Sequence, residues 1–169
     1  MLNSAMKKWM PLLLLVVLFA FSLPSCNAFE WRTDLPAAAA EARAAQRLLL
    51  LNFSGSDWCG WCRRLDAEVF SKSAFQDYAA SNLVCVIADF PRRKQLEPAL
   101  QARNERLLRH FGVEGFPTLL LFSPEGELIG QLGYQPGGPA AMIQAIEQAR
   151  AQHRLRNPAL PPGPQLPRD

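Results

Sequence analysis

The residues best placed to do chemistry lie in Trp58-Cys59-Gly60-Trp61-Cys62, two cysteines three positions apart. They follow the apolar run Leu48 to Phe53 and precede a segment with helical periodicity, a context that reads as a dithiol at the first turn of a helix. Unpaired N–H groups and the positive end of the helix dipole favour an anion there, so Cys59 ionises more readily than a free thiol. Cys62 lies one turn further in, on the same face and within disulfide reach. The expected chemistry is attack of Cys59 on a substrate disulfide, with Cys62 resolving the mixed disulfide.

A cysteine pair of this spacing also serves metals, but zinc needs three or four ligands and no second pair is visible. The remaining cysteines are the separate Cys26 and Cys85, and His110 and His153 share no ligand spacing, so no metal and no cofactor is assigned. Two inert core thiols fit less well, because Ser56, Asp57 and Gly60 mark a loop.

The elements that position the pair can be read in order. Asp34 caps an alanine-rich helix with Pro36 in its first turn, whose Glu41, Arg43 and Arg47 are expected in solvent. Leu48 to Phe53 reads as a buried central strand and Leu83 to Ala88 as a second, with Cys85 an inert core thiol. Between them the dithiol helix runs through Leu65 and Val69, and Ser71 or Ser73 caps a further helical stretch with Phe75 and Tyr78. Pro91-Arg92-Arg93-Lys94 reads as a solvated basic turn or a docking patch for an acidic partner. Pro98 opens a helix with Leu100, Leu107, Leu108 and Phe111 on its buried stripe, and His110 near its end complements the helix dipole. Gly115-Phe116-Pro117-Thr118 leads into a strand to Phe122, Pro124 to Glu127 form a turn, and Leu128 to Leu132 return as a hairpin. A last helix begins near Pro139 and carries Met142, Ile143 and Ile146, with His153 at the surface.

The ends differ in character. Lys7 and Lys8, the ten-residue apolar block Leu12 to Phe21 and Cys26-Asn27-Ala28 read as an export signal over residues 1–28. Leu23-Pro24-Ser25-Cys26 also resembles a lipoprotein box that would place lipid on Cys26, although proline before the small residue is atypical. Either form puts residues 29–154 in an oxidising, periplasmic or otherwise exported setting, soluble or membrane-anchored. Residues 155–169 are expected to be a disordered proline-rich tail. The net charge of +3 includes Lys7 and Lys8, which removes any electrostatic reason to expect a nucleic acid partner.

The order strand, CxxC helix, strand, helix, Gly-Phe-Pro-Thr, hairpin, helix resembles the thioredoxin superfamily over about Leu35 to Gln152, and Ser54 to Cys62 resemble its exported bacterial members with a WCGWC motif. The resemblance implies an α/β thioredoxin fold, a single domain with a central mixed β-sheet flanked by helices. It implies a cis peptide before Pro117 and a substrate-binding ledge of Phe116 and Pro117 beside the dithiol, with Trp58, Gly60 and Trp61 as flanking contacts. The implied function is that of an exported thiol–disulfide oxidoreductase, a reductase or isomerase acting on proteins with disulfides and recharged by a membrane electron donor. A copper or zinc carrier and a non-catalytic peptide-binding module are the alternatives. The sequence departs from the family where a buried aspartate and its lysine partner are usual, since Asn52 and Cys85 stand there.

Overall fold

The computed structural model describes residues 29–156. The export signal and most of the proline-rich tail assigned from sequence lie outside the described residues, and the last helix continues to Arg156, two residues past the domain end expected at 154.

Among the described residues five strands form one sheet in the order β1-β3-β2-β4-β5. Strand β1 (Trp31–Arg32) pairs parallel with β3 (Leu83–Asp89), which pairs parallel with β2 (Leu48–Ser54). Strand β4 (Thr118–Phe122) runs antiparallel to β2, and β5 (Leu128–Leu132) antiparallel to β4, closing the hairpin at Gly126 with φ +92°. Every residue of β2 is buried, as expected of a central strand covered on both faces.

Alternation along the strands sends residues to two cores. Leu49, Leu51, Phe53, Val84, Val86, Leu120 and Phe122 pack against α1 (Leu35–Ala45) and α4 (Pro98–His110). Leu48, Leu50, Cys85, Leu119 and Leu121 face the other layer. That layer comprises α2 (Gly60–Leu65) with a wider turn over Asp66–Phe70, α3 (Ser73–Asn82) and α5 (Gly138–Arg156). In the wider turn the Ser71 N–H donates to the Asp66 carbonyl at 2.9 Å, five residues back. The mixed sheet with helices on both faces is the thioredoxin architecture that the sequence resemblance implies.

Three local expectations need correction. Neither Ser71 nor Ser73 caps α3: Lys72 holds the cap position with no side-chain bond, and the Ser71 hydroxyl donates to the Ala67 carbonyl. Arg47 is buried, not solvated. Its guanidinium donates to the Ala80 and Leu83 carbonyls and pairs with Glu41, which also binds Arg32, so Glu41 of α1 and Arg47 just beyond it tie this end of the helix to β1, α3 and β3. His153 folds back onto Glu127 at 3.2 Å with only a fifth of its side chain exposed.

Candidate active site

Strand β2 ends at Ser54, and Gly55 to Trp58 carry the chain into α2. This approach is tied down at the end of β3. The Asp89 carboxylate accepts from the Ser56 N–H at 2.9 Å and the Ser56 hydroxyl at 2.6 Å, and the Trp58 indole N–H donates to the Phe90 carbonyl at 2.7 Å. Asn104 of α4, buried in an otherwise apolar stripe, donates to the Asp89 carbonyl at 2.9 Å and fixes that strand end from behind. Trp58 lies so close over Gly55 that a Cβ there would sit 2.5 Å from the indole, which is why glycine is needed at this position.

Cys59 is the N-cap residue of α2, with extended backbone, and Cys62 occupies its first turn. The two are disulfide-bonded, their Cα atoms 5.3 Å apart. The Cys62 N–H donates to the Cys59 sulfur at 3.1 Å, so one of the orphan donors of the helix start already points at the sulfur. The Cys59 sulfur also lies 3.7 Å from the Phe116 carbonyl oxygen. The Phe116–Pro117 peptide is cis, as the resemblance implies, and the Phe116 ring meets the Trp58 ring edge-on at 5.9 Å. Both cysteines are almost fully covered, each about 6% exposed.

Of the five residues singled out from sequence around the dithiol, Trp58, Gly60 and Trp61 adjoin the cysteines in the chain, Phe116 meets Cys59 through its carbonyl and Trp58 through its ring, and Pro117 follows Phe116 across the cis peptide. Nothing lies within 4 Å of where a Cβ on Gly60 would be, leaving the approach over α2 open. Trp61 is 55% exposed and its ring tilts against Tyr134 at 5.1 Å. Tyr134 donates its hydroxyl to Glu68 at 2.7 Å, and Glu68 takes Arg64 at 2.7 Å, whose guanidinium lies over both rings. The Arg64 bond, then the Tyr134 bond, hold the Glu68 carboxyl below its usual range, while the Glu68 bond raises the Tyr134 phenol.

Sequence reasoning passed over Tyr134, Glu68, Asp89 and Asn104. Their signal was faint: a tyrosine in a Gly-Pro loop, a glutamate four residues past an arginine on a helix face, an aspartate closing an apolar strand, and an asparagine on a helix face otherwise leucine-rich. The basic loop is likewise more than a solvated turn. Asp57 accepts from the Arg92 and Arg93 amide N–H groups at 3.0 and 2.7 Å, bonds that depress its carboxyl pKa.

Asn52 lies on the face of β2 that looks towards α2, two residues beyond Leu50, and its side-chain oxygen is buried with no partner among the described residues. Cys85 is the register partner of Leu50, and burial pushes its thiol up to about 12. Neither position supplies a charge beneath the dithiol. Among the described residues no group of three or more His, Cys, Asp or Glu side chains converges as a metal set.

A thioredoxin architecture carrying a cysteine pair at a helix start, beside a cis-proline loop, defines the dithiol class of that fold. The model of the thioredoxin-like domain matches residues 35–150, and the chain belongs to that family. The disulfide bond reductase DsbH of Chlamydia pneumoniae is 33% identical over 101 residues, 60% of this chain and 61% of the relative. The thioredoxin-related protein DsbJ of the same organism is 28% identical over 128 residues, 71% of this chain and 37% of DsbJ. A solved structure of a DsbH oxidoreductase shares the fold with a TM-score of 0.68 at 28% identity, covering 76% of this chain and 90% of that one. The chain spans about three fifths of the length of the curated DsbH that it matches.

Proposed function

We propose that this chain is an exported thiol–disulfide oxidoreductase that acts as a disulfide reductase or isomerase. The observation that carries this reading is the Cys62 N–H aimed at the Cys59 sulfur, 3.7 Å from the Phe116 carbonyl at a cis-proline loop. In the reduced protein that N–H and the helix start stabilise a Cys59 thiolate. The thiolate attacks one sulfur of a substrate disulfide, forming the Cys59 mixed disulfide and expelling the other sulfur as thiolate. Cys62, losing its proton, then attacks Cys59, which closes the bonded state described here and releases the second substrate thiol. Two electrons pass from dithiol to substrate, and a dithiol donor at the membrane restores them.

An extended substrate segment is held at Phe116 and Pro117, with Trp58, Gly60 and Trp61 as flanking contacts. Because the position beneath the dithiol is Asn52 and not a carboxyl, Cys62 gives its proton to water or to the departing thiolate. The pH–rate profile therefore lacks the inflection of a buried acid. Gly60-Trp61 between the cysteines offers no histidine to stabilise the thiolate strongly, which supports reduction over oxidation. Similarity to the disulfide bond reductase DsbH supports the same direction. Residues 1–28 support export, and a lipid on Cys26 is the membrane-anchored variant of it.

The test is reduction of a protein disulfide by the chain with a dithiol donor, together with its reduction potential. Activity is expected to vanish in Cys59→Ser, and the potential to lie nearer thioredoxin's, about −270 mV, than the strong oxidant's, about −120 mV. Unchanged function in Cys59→Ser would select the peptide-binding module. Stoichiometric copper or zinc uptake without reductase activity would select the metal carrier.

A further inference from the structure

We propose that the dithiol serves disulfides set in acidic segments of protein substrates, recognised by a cationic rim built on the two tryptophans; the proposal rests on the reductase reading above. The Arg92 guanidinium lies 3.7 Å from the centre of the Trp58 ring, and that of Arg64 lies 5.6 Å from Trp61 and 5.1 Å from Tyr134. Each indole next to a redox cysteine thus carries a guanidinium. The arginines are not placed there by chance contact of a loose turn. Asp57 takes the amides of Arg92 and Arg93, Trp58 is tied to the Phe90 carbonyl, and Lys94 reaches Asp89 at 3.2 Å, so the loop is fastened to the approach to Cys59.

The charge balance at the rim favours an anionic partner. Three carboxylates near the rim are hydrogen-bonded or ion-paired: Asp57 by the Arg92 and Arg93 backbone amides, Glu68 by Arg64 and Tyr134, Asp89 by Ser56 and Lys94. Arg63, Arg92 and Arg93 are exposed and form no side-chain ion pair among the described residues. Glu114, exposed two residues before Phe116, is the opposing charge on that side. Screening lets such charges act over about 10 Å at 0.1 M salt, roughly three residues of an extended chain on either side of a bound cysteine. The chemistry of the enclosed sulfurs restricts the occupant to a disulfide, so the anion is an acidic peptide flank and not a nucleic acid or a lipid headgroup.

The experiment follows single turnover of the prereduced full chain by tryptophan fluorescence. Its substrates are three peptides with the same internal disulfide, flanked by glutamates, glutamines or lysines. Rates are divided by those with free dithiothreitol, which removes differences in intrinsic disulfide reactivity. The glutamate peptide is expected to react about tenfold faster than the lysine peptide at low salt, the ratio falling to about twofold at 0.5 M salt. The double substitution Arg92→Glu/Arg93→Glu inverts the order, whereas Arg92→Lys/Arg93→Lys preserves it. These are ratios within one variant, so loss of folded protein does not move them. Equal rates for the glutamate and lysine peptides, with the glutamine peptide reduced, overturn the acidic preference alone. Failure to reduce any of the three overturns the reductase reading itself.

Discussion

Asp89 holds the approach to the dithiol from the end of β3, and the cost of removing it can be worked from its bonds. Its side chain is 13% exposed and accepts from the Ser56 N–H, the Ser56 hydroxyl and the Lys94 ammonium. Hydrogen bonds to a charged group contribute about 1.5–3 kcal/mol each, whereas the ion pair with the exposed Lys94 is worth about 0–1 kcal/mol. Asp89→Ala deletes both Ser56 bonds and leaves a half-buried N–H unpaired, for a loss of about 3 kcal/mol. Asp89→Asn can keep one oxygen on the Ser56 N–H and turn its NH2 to the hydroxyl, losing only charge assistance, about 1–2 kcal/mol. For a domain of this size 1 kcal/mol moves the melting temperature by roughly 4 °C, so drops of about 12 °C and 6 °C are expected, measured by circular dichroism on the oxidised protein. The coupling is tested by combining Asp89→Ala with Ser56→Ala. The account requires a coupling energy of about 1–2 kcal/mol, and additivity within about 0.3–0.5 kcal/mol would refute it.

Other expectations follow from single contacts. Arg47→Ala strips the Ala80 and Leu83 carbonyls of a buried donor and leaves Glu41 with Arg32 alone, a loss of about 2–4 kcal/mol by urea unfolding. Gly55→Ala puts a methyl into the Trp58 ring, so the indole leaves the Phe90 carbonyl and its fluorescence shifts to the red. Cys85 is neutral when folded, its thiol moved from 9.0 to about 12, so unfolding releases its proton at lower pH than the native state does. Its contribution is complete below pH 9 and is lost as pH rises towards 12, by about 4 kcal/mol, which stability curves of wild type against Cys85→Val can measure.

The backbone plan was legible because its signals are local. A short apolar run followed by turn residues marks a strand covered on both faces, a proline before a strand marks its start, and two cysteines three apart after a loop mark a helix start. What sequence missed depends on which chain segments meet. Arg47 looked like a solvated cation of an alanine helix until β3 and the end of α3 brought two carbonyls to it. Tyr134 and Glu68 are 66 residues apart, and no periodicity joins them. Asp89 and Ser56 meet only because β2 and β3 are parallel neighbours that end together, Ser54 opposite Asp89. Caps were legible where a short acid sits at the right offset, as with Asp34, and misread at α3, where competing serines gave the signal but the backbone starts the helix without them.

The central claim is that Cys59 takes the substrate and Cys62 releases it. Mass spectrometry of Cys62→Ser after reduction and exposure to a disulfide peptide tests it most directly. One peptide per chain, bonded to Cys59 and stable until an outside thiol is added, is the predicted result. A mixed disulfide on Cys85, or none on Cys59, would contradict the account.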